Sequence, residues 1–197
     1  GARLILVGRN EQAMALLKKN LSYPERHQIA IMERYSDAEI VALAARFNGE
    51  TKLDILINNA GITRDNLLMR MKDDEWQDII DTNLTSLYRL SKPVLRAMMK
   101  KRYGRIINII STSVKLPLAN LGVSNTIRAA VANWSKTLAN ELGKYNITVN
   151  NVLPGATATV RLQTIIENKS LKTGHATDAV SQEMMSEIPM GRFAEAS

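Results

Sequence analysis

The residues best equipped for chemistry in this chain sit where apolar runs give way to polar ones. Ser111, Thr112 and Ser113 follow the run Arg105–Ile110, and Lys115 comes two residues later. If the extended geometry continues, strand alternation sends Ser111, Ser113 and Lys115 to one side. Two hydroxyls and an ammonium at a strand mouth suit a carbonyl oxygen or a phosphate; the same residues also read as a plain hydroxyl-rich exit. Asn58-Asn59-Ala60-Gly61 ends another apolar run. A small residue and a glycine there let a ligand come close to backbone amides, although Asn and Gly are ordinary turn formers too. Arg9 follows the first apolar run, where a guanidinium either clamps a phosphate or stays in solvent. Asn83 stands inside a helical pattern, a poor place for Asn unless its side chain has a task. Pro154-Gly155-Ala156-Thr157-Ala158-Thr159 either presents hydroxyls and amides after the last apolar run or forms only a turn. His27 and His175 have no partners at ligand spacing, so no metal site is expected.

These residues need a scaffold, and short β-branched runs alternating with helical patterns supply it. Strands are predicted at Arg3–Gly8, Gln28–Met32, Asp54–Asn58, Arg105–Ile110 and Ile147–Leu153. Helices are predicted at Glu11–Asn20, Asp37–Asn48, Asp73–Arg102 and Gly122–Gly143, with shorter ones at Arg161–Lys169 and Ala176–Glu187. Gly49 is the expected C-cap of the second helix and Asp73 the expected N-cap of the third, whose MMKKR end suits the negative helix terminus. Strands apolar throughout and separated by helices predict an α/β domain, a parallel sheet covered on both faces. In such sheets ligands bind outside the carboxyl ends of the strands. That is where the polar residues above fall.

With 197 residues, 45% of them apolar, a single domain with a sizeable core is expected over 1–197. The balance of 26 basic against 19 acidic residues gives +7. This favours nucleotide phosphates, an acidic carrier protein or nucleic acid, or is a basic surface without specific meaning. Only 5% of residues are aromatic and none interleave with a basic run, which argues against nucleic acid. Zero cysteines exclude disulfides and thiolate-bound metal and suit a reducing cytoplasm. No apolar run approaches the roughly 18 residues a membrane span requires. The opening GARLILVGRN is too short for a signal peptide.

Several of these stretches together resemble the short-chain dehydrogenase/reductase superfamily, over the whole of Gly1–Ser197. The marks are NNAG at 58–61, Asn83 in DTNLTSLYRLSKPVL, Ser111 after GRIINII, and ITVNNVLPG at 147–155. Asn83 and Ser111 stand 28 residues apart, and Ser111 and Ser124 stand 13 apart, as that family spaces its Asn, Ser and Tyr. Residues 53–107 are similar to the β-ketoacyl-acyl carrier protein reductases; the stretch from STSVK through SNTIR to IPMGRFAEAS resembles a divergent bacterial branch. The resemblance implies a Rossmann-like doubly wound sheet, NADP (with NAD possible) as cofactor, and hydride transfer to a carbonyl of a small or acyl-carrier-linked 3-oxoacyl substrate. It further implies a cytoplasmic homotetramer paired through Asp73–Arg102 and Gly122–Gly143. By the same resemblance Asn59, Ala60 and Gly61 line the adenosine side, and Arg9 favours the 2′-phosphate. Pro154, Gly155 and Thr159 hold the nicotinamide end. Ser111 bonds the reacting oxygen, Asn83 fixes the helix and an active-site water, and 156–192 covers the substrate.

Three departures stand against that pattern. The family's Tyr-x-x-x-Lys is Ser124-Asn125-Thr126-Ile127-Arg128 here. A tyrosine hydroxyl with a pKa of about 10 is within reach of a neighbouring cation's influence, whereas a serine hydroxyl is far less acidic. Arg128 can donate to ribose hydroxyls but does not shuttle protons. Lys115 or a water is therefore the expected proton source, and loss of catalysis in a protein that only binds is the alternative. Second, the chain opens at what would be the family's second strand, without the Gly-rich turn that seats a pyrophosphate on a helix N-terminus. Two sheet halves with unpaired edges are expected. Third, it stops before the family's last helix and strand, so a fragment of a longer protein is expected. Glu33-Arg34 stands where the family places an Asp near adenine.

Overall fold

The computed structural model describes residues 1–32, 36–48, 53–64, 67–118 and 121–196. Glu33-Arg34 and Gly49, on which two of the expectations rest, lie outside the described residues. Among the described residues five short strands form: β1 (Ile5–Gly8), β2 (Gln28–Ile31), β3 (Ile55–Asn58), β4 (Gly104–Ile109) and β5 (Ile147–Val152). Every pairing is parallel, as strands joined by helical crossovers must be. Among the described residues the strands fall into two sheets, β1–β2 and β3–β4–β5. β1 and β3 thus each pair along one edge, as expected for two sheet halves.

One core nevertheless runs through both sheets. Ala30 and Met32 at β2, with Ile40 and Leu43 of α2 (Asp37–Asn48), join Val94 and Met98 of α4 (Ser86–Lys101). Ile106 of β4, Leu138 and Leu142 of α5 (Gly122–Leu142), and Ile147 and Val149 of β5 complete it. Gly104 opens β4 because the Met98 side chain occupies the space a Cβ would need. The other face of the larger sheet is less covered: Ile55 and Ile57 are 47% and 57% exposed, and Val152 is 47% exposed. α1 (Glu11–Asn20) starts from Asn10, whose Oδ1 accepts from the Ala13 amide at 2.9 Å.

The single helix expected over Asp73–Arg102 is interrupted. α3 (Asp73–Ile80) leads into a π-helical turn, Asp81–Thr85, and only then into α4. Such a turn widens the helix by one residue and is common at functional sites. Asp73 is not the N-cap. Lys72 holds that position, and Glu75 supplies the capping carboxylate by accepting from the Lys72 amide at 3.1 Å. α4 closes at Arg102 in the left-handed conformation, φ 55°.

The chain divides into two compact units, Gly1–Val152 and Leu153–Ser197. The second contains α6 (Val160–Thr173) and α7 (Thr177–Ser186), packed through Leu162, Ile166 and Val180 with Ala156, Met184 and Phe193. A bridge from Thr157 to Ala194 closes it, with Ala158 N–H donating to Ala194 O at 2.8 Å and Ala194 N–H to Ala156 O at 3.0 Å. Lys169 pairs with Glu183 at 3.1 Å. The two short helices expected at Arg161–Lys169 and Ala176–Glu187 thus form within the segment 156–192, together with a small core of their own.

Candidate active site

The mouth of β3 is built by contacts from distant parts of the chain. Asn83 lies in the π-helical turn and is only 3% exposed. Its Nδ2 donates to Ile62 O at 2.7 Å and its Oδ1 accepts from Ile62 N–H at 2.8 Å. That is the task the sequence required of an asparagine in this helix. It holds the backbone just past Gly61, in the manner of one rung of a sheet. Arg128, on α5, donates from Nη1 to Ile109 O at 2.9 Å, at the end of β4. A Cβ on Gly61 would stand 3.2 Å from Arg128 Nη2 and 3.3 Å from Asn83 Oδ1. Gly61 is therefore the space into which a fixed positive charge and a buried amide both fit. Asn59, Ala60 and Gly61 remain exposed beside them.

The end of β4 is organised locally. Ser111 is extended (φ −165°) and its Oγ accepts from the Ser113 amide at 3.1 Å, capping a 3₁₀ turn at Thr112–Val114. That turn corrects the expected alternation. Ser113 is buried, Lys115 ends the turn exposed, and the strand geometry that would align Ser111, Ser113 and Lys115 stops at Ser111. A hydroxyl-capped turn satisfies its own amides and so competes successfully with continued extension. Ser124 lies one helical turn before Arg128 on α5, half-buried.

Beneath this rim lies a buried polar layer that reading the motifs alone missed. Asn58, Asn108 and Asn151 occupy matching positions in β3, β4 and β5. Asn58 Nδ2 donates to Asn108 Oδ1 at 2.8 Å, and Asn108 Nδ2 donates to Ser135 Oγ of α5 at 2.8 Å. The single Ser135 hydroxyl hydrogen is shared between Val131 O at 2.7 Å and Asn151 Oδ1 at 2.8 Å. Among the described residues the buried Asn58 Oδ1 has no partner. The signal was present: each of the three strands carries asparagine, Asn58 in β3, Asn108 in β4, and both Asn150 and Asn151 in β5.

The remaining expected residues are placed separately. Arg9 is exposed between β1 and the cap of α1. Pro154 and Gly155 are exposed in the second unit, where Thr159 caps α6 by accepting from Leu162 N–H at 3.4 Å. Both ring nitrogens of His27 are engaged by backbone, Nδ1 by Leu4 N–H at 3.1 Å and Nε2 with Ser22 O at 3.0 Å. Among the described residues no group of three or more His, Cys, Asp or Glu side chains could hold a metal, and no helix is long and apolar enough to cross a membrane.

Parallel strands joined by helices, with polar and cationic groups collected at the strands' carboxyl ends, define a Rossmann-like α/β fold. The chain belongs to the short chain dehydrogenase family, whose model matches residues 1–170. It is similar to the 3-oxoacyl-[acyl-carrier-protein] reductase FabG of Haemophilus influenzae, 51% identical over 146 residues (73% of this chain, 55% of that protein). It is also similar to the enzyme of the same name from Vibrio cholerae, 40% identical over 191 residues, covering 96% of this chain and 67% of that one. The chain spans 55% of the first of these relatives. Among solved structures, actinorhodin polyketide ketoreductase with NADPH superposes with a TM-score of 0.88 at 29% identity, covering 98% of this chain and 76% of that one. L-sorbose reductase from Gluconobacter frateurii, complexed with NADPH and L-sorbose, gives 0.86 at 26% identity, covering 99% and 76%.

Proposed function

We propose that this chain carries the catalytic face of an NADP-preferring reductase acting on a carbonyl, a 3-oxoacyl group linked to an acyl carrier being the best-supported substrate. The observation that carries the reading is the Asn83–Gly61–Arg128 cluster, which leaves backbone open and a cation fixed at the strand mouths. Within Gly1–Val152 the proposed cofactor contacts are Asn59, Ala60 and Gly61 on the adenosine side, Arg9 toward a 2′-phosphate and Arg128 toward ribose hydroxyls. When bound, the cofactor supplies the hydride. Ser111 holds the reacting oxygen by a hydrogen bond. Ser124 and Arg128 leave proton delivery to water, since neither a serine hydroxyl nor a guanidinium exchanges protons readily near neutrality. The relatives' names support the acyl-carrier substrate, and the NADPH-bound neighbours support the cofactor.

A homotetramer in a reducing cytoplasm completes the reading. Along the helical stretch from α3 to α4, exposed Asp74, Asp78 and Asp81 give way to exposed Lys92, Arg96 and Lys100. An antiparallel meeting of two copies would set acid against base. The decisive experiment is NADPH oxidation with acetoacetyl thioester, run beside NADPH and NADH titrations. Turnover that falls at least about a hundredfold in Ser111→Ala supports the reading, in line with the usual worth of groups at the reacting oxygen. The replacement of Tyr and Lys by Ser124 and Arg128 favours a second reading, a dinucleotide-fold protein that binds without catalysis. Tight cofactor binding with no hydride transfer to any carbonyl would select it.

A further inference from the structure

The asparagine layer beneath the strand mouths meets α5 at Ser135, which is 1% exposed. Helix packing does not require a hydroxyl there, since alanine is the better helix former and brings no polar group to satisfy. Yet Ser135 is engaged from two neighbouring strands, by Asn108 Nδ2 of β4 and by Asn151 Oδ1 of β5, each at 2.8 Å. The Asn108 amide is itself oriented by Asn58 of β3, whose Nδ2 donates to Asn108 Oδ1 at 2.8 Å. With that oxygen occupied, the nitrogen is the end that reaches α5. The buried neighbours of Ser135 along the helix, Val131, Leu138 and Leu142, are apolar. Apolar contact holds a helix onto a sheet without direction, so it tolerates small axial slips that a short hydrogen bond does not.

Arg128 stands seven residues before Ser135, nearly two turns, on the same face of α5 and about 10 Å nearer the strands' carboxyl ends. Its guanidinium is confined on two sides. Nη1 donates to Ile109 O at 2.9 Å, and Nη2 lies 3.2 Å from where a Gly61 Cβ would be. Asn58, which begins the layer, comes three residues before Gly61, and Asn108, which continues it, immediately precedes Ile109. The layer thus ties together the two places the guanidinium touches and the helix that carries it. We infer that Ser135 is a positioning residue: bonded to Asn108 and Asn151, it sets how far along the sheet α5 sits and so holds Arg128 at Gly61 and Ile109. Resting on the reductase reading above, this hold preorganises the cation that meets the ribose hydroxyls. Its loss weakens NADPH binding although Ser135 itself touches no cofactor atom.

The test is a double-mutant cycle read by NADPH fluorescence titration. Ser135→Ala removes one oxygen and no packing carbon, and should weaken NADPH binding by about fivefold. In an Arg128→Ala background the same change should cost less than about twofold, because the group it positions is gone. Leu142→Val, which trims buried packing from α5 away from the layer, should keep affinity within about twofold. Asn151→Ala withdraws one of the two strand bonds, acts in the same direction more weakly, and replaces Ser135→Ala in the cycle if that variant does not fold. Unchanged affinity in Ser135→Ala, equal losses in both backgrounds, or an equal loss in Leu142→Val overturns the positioning role. A second readout needs no cofactor. The Arg128 Nη signals in ¹⁵N NMR, assigned by their loss in Arg128→Ala, should be separate in the wild type and in Leu142→Val and should merge in Ser135→Ala. Signals already merged in the wild type, or equally separate in Ser135→Ala, overturn the role. Absence of NADPH binding by the wild type defeats the cofactor reading instead, and the Arg128 signals then decide the role of Ser135.

Discussion

The two strand mouths that carry the candidate site are built on opposite plans. At β3, Asn83 and Arg128 arrive from the π-helical turn and from α5 and meet around Gly61, so groups far apart in sequence hold one another. At β4, Ser111 satisfies an amide two residues on, and the chain turns by itself. A mouth built by distant contacts is rigid only while the whole unit is folded; one built by a local turn keeps its shape cheaply but cannot place a charge. Cation and backbone cradle therefore belong to the first, and the hydroxyl to the second.

That contrast can be broken most forcefully at Asn83. Asn83→Leu leaves the Ile62 N–H and C=O without their partner, and is expected to cost about 2–4 kcal/mol in urea unfolding. A loss below about 1 kcal/mol would show that the clamp does not hold this mouth. Gly61→Val should cost about 1–3 kcal/mol, because the new carbons must displace a guanidinium and a buried amide. The same variant should weaken NADPH binding by at least about tenfold in a fluorescence titration, equivalent to about 1.4 kcal/mol. Retained affinity would separate Arg128 from the cofactor. By contrast, Ser111→Ala should lower stability by only about 0.5–1 kcal/mol, the scale of one lost cap, since the turn's other bonds persist. Lys115→Ala should change stability by less than about 0.5 kcal/mol, as exposed substitutions do, and leave turnover unchanged. A large fall in turnover would restore Lys115 as the proton source.

Much of this was legible in the residues. The five apolar runs became strands within one or two residues of their predicted ends, because unbroken β-branched runs between helices have few alternatives. The task of Asn83 was foreseen as a need, though not its target, Ile62. The Ser111–Lys115 alternation was misread because hydroxyl side chains near a strand end redirect the backbone, and the apolar period says nothing about where that happens. The asparagine layer escaped notice for another reason. Asn58 was read only as the start of a strand-end turn, Asn108 and Asn151 give no sign of pairing in their own strands, and only the parallel register sets the three level.

By itself the sequence determined what is local: which stretches extend, which coil, and that the polar residues fall at strand exits, since propensity and periodicity act over a few residues. Tertiary structure alone decided which of those residues meet. Asn83 on Ile62, Arg128 against Gly61 and Leu68 on Gly122 depend on where helices come to rest on the sheet. That resting place is fixed by the packing of the shared core, a property of the folded unit rather than of any one stretch.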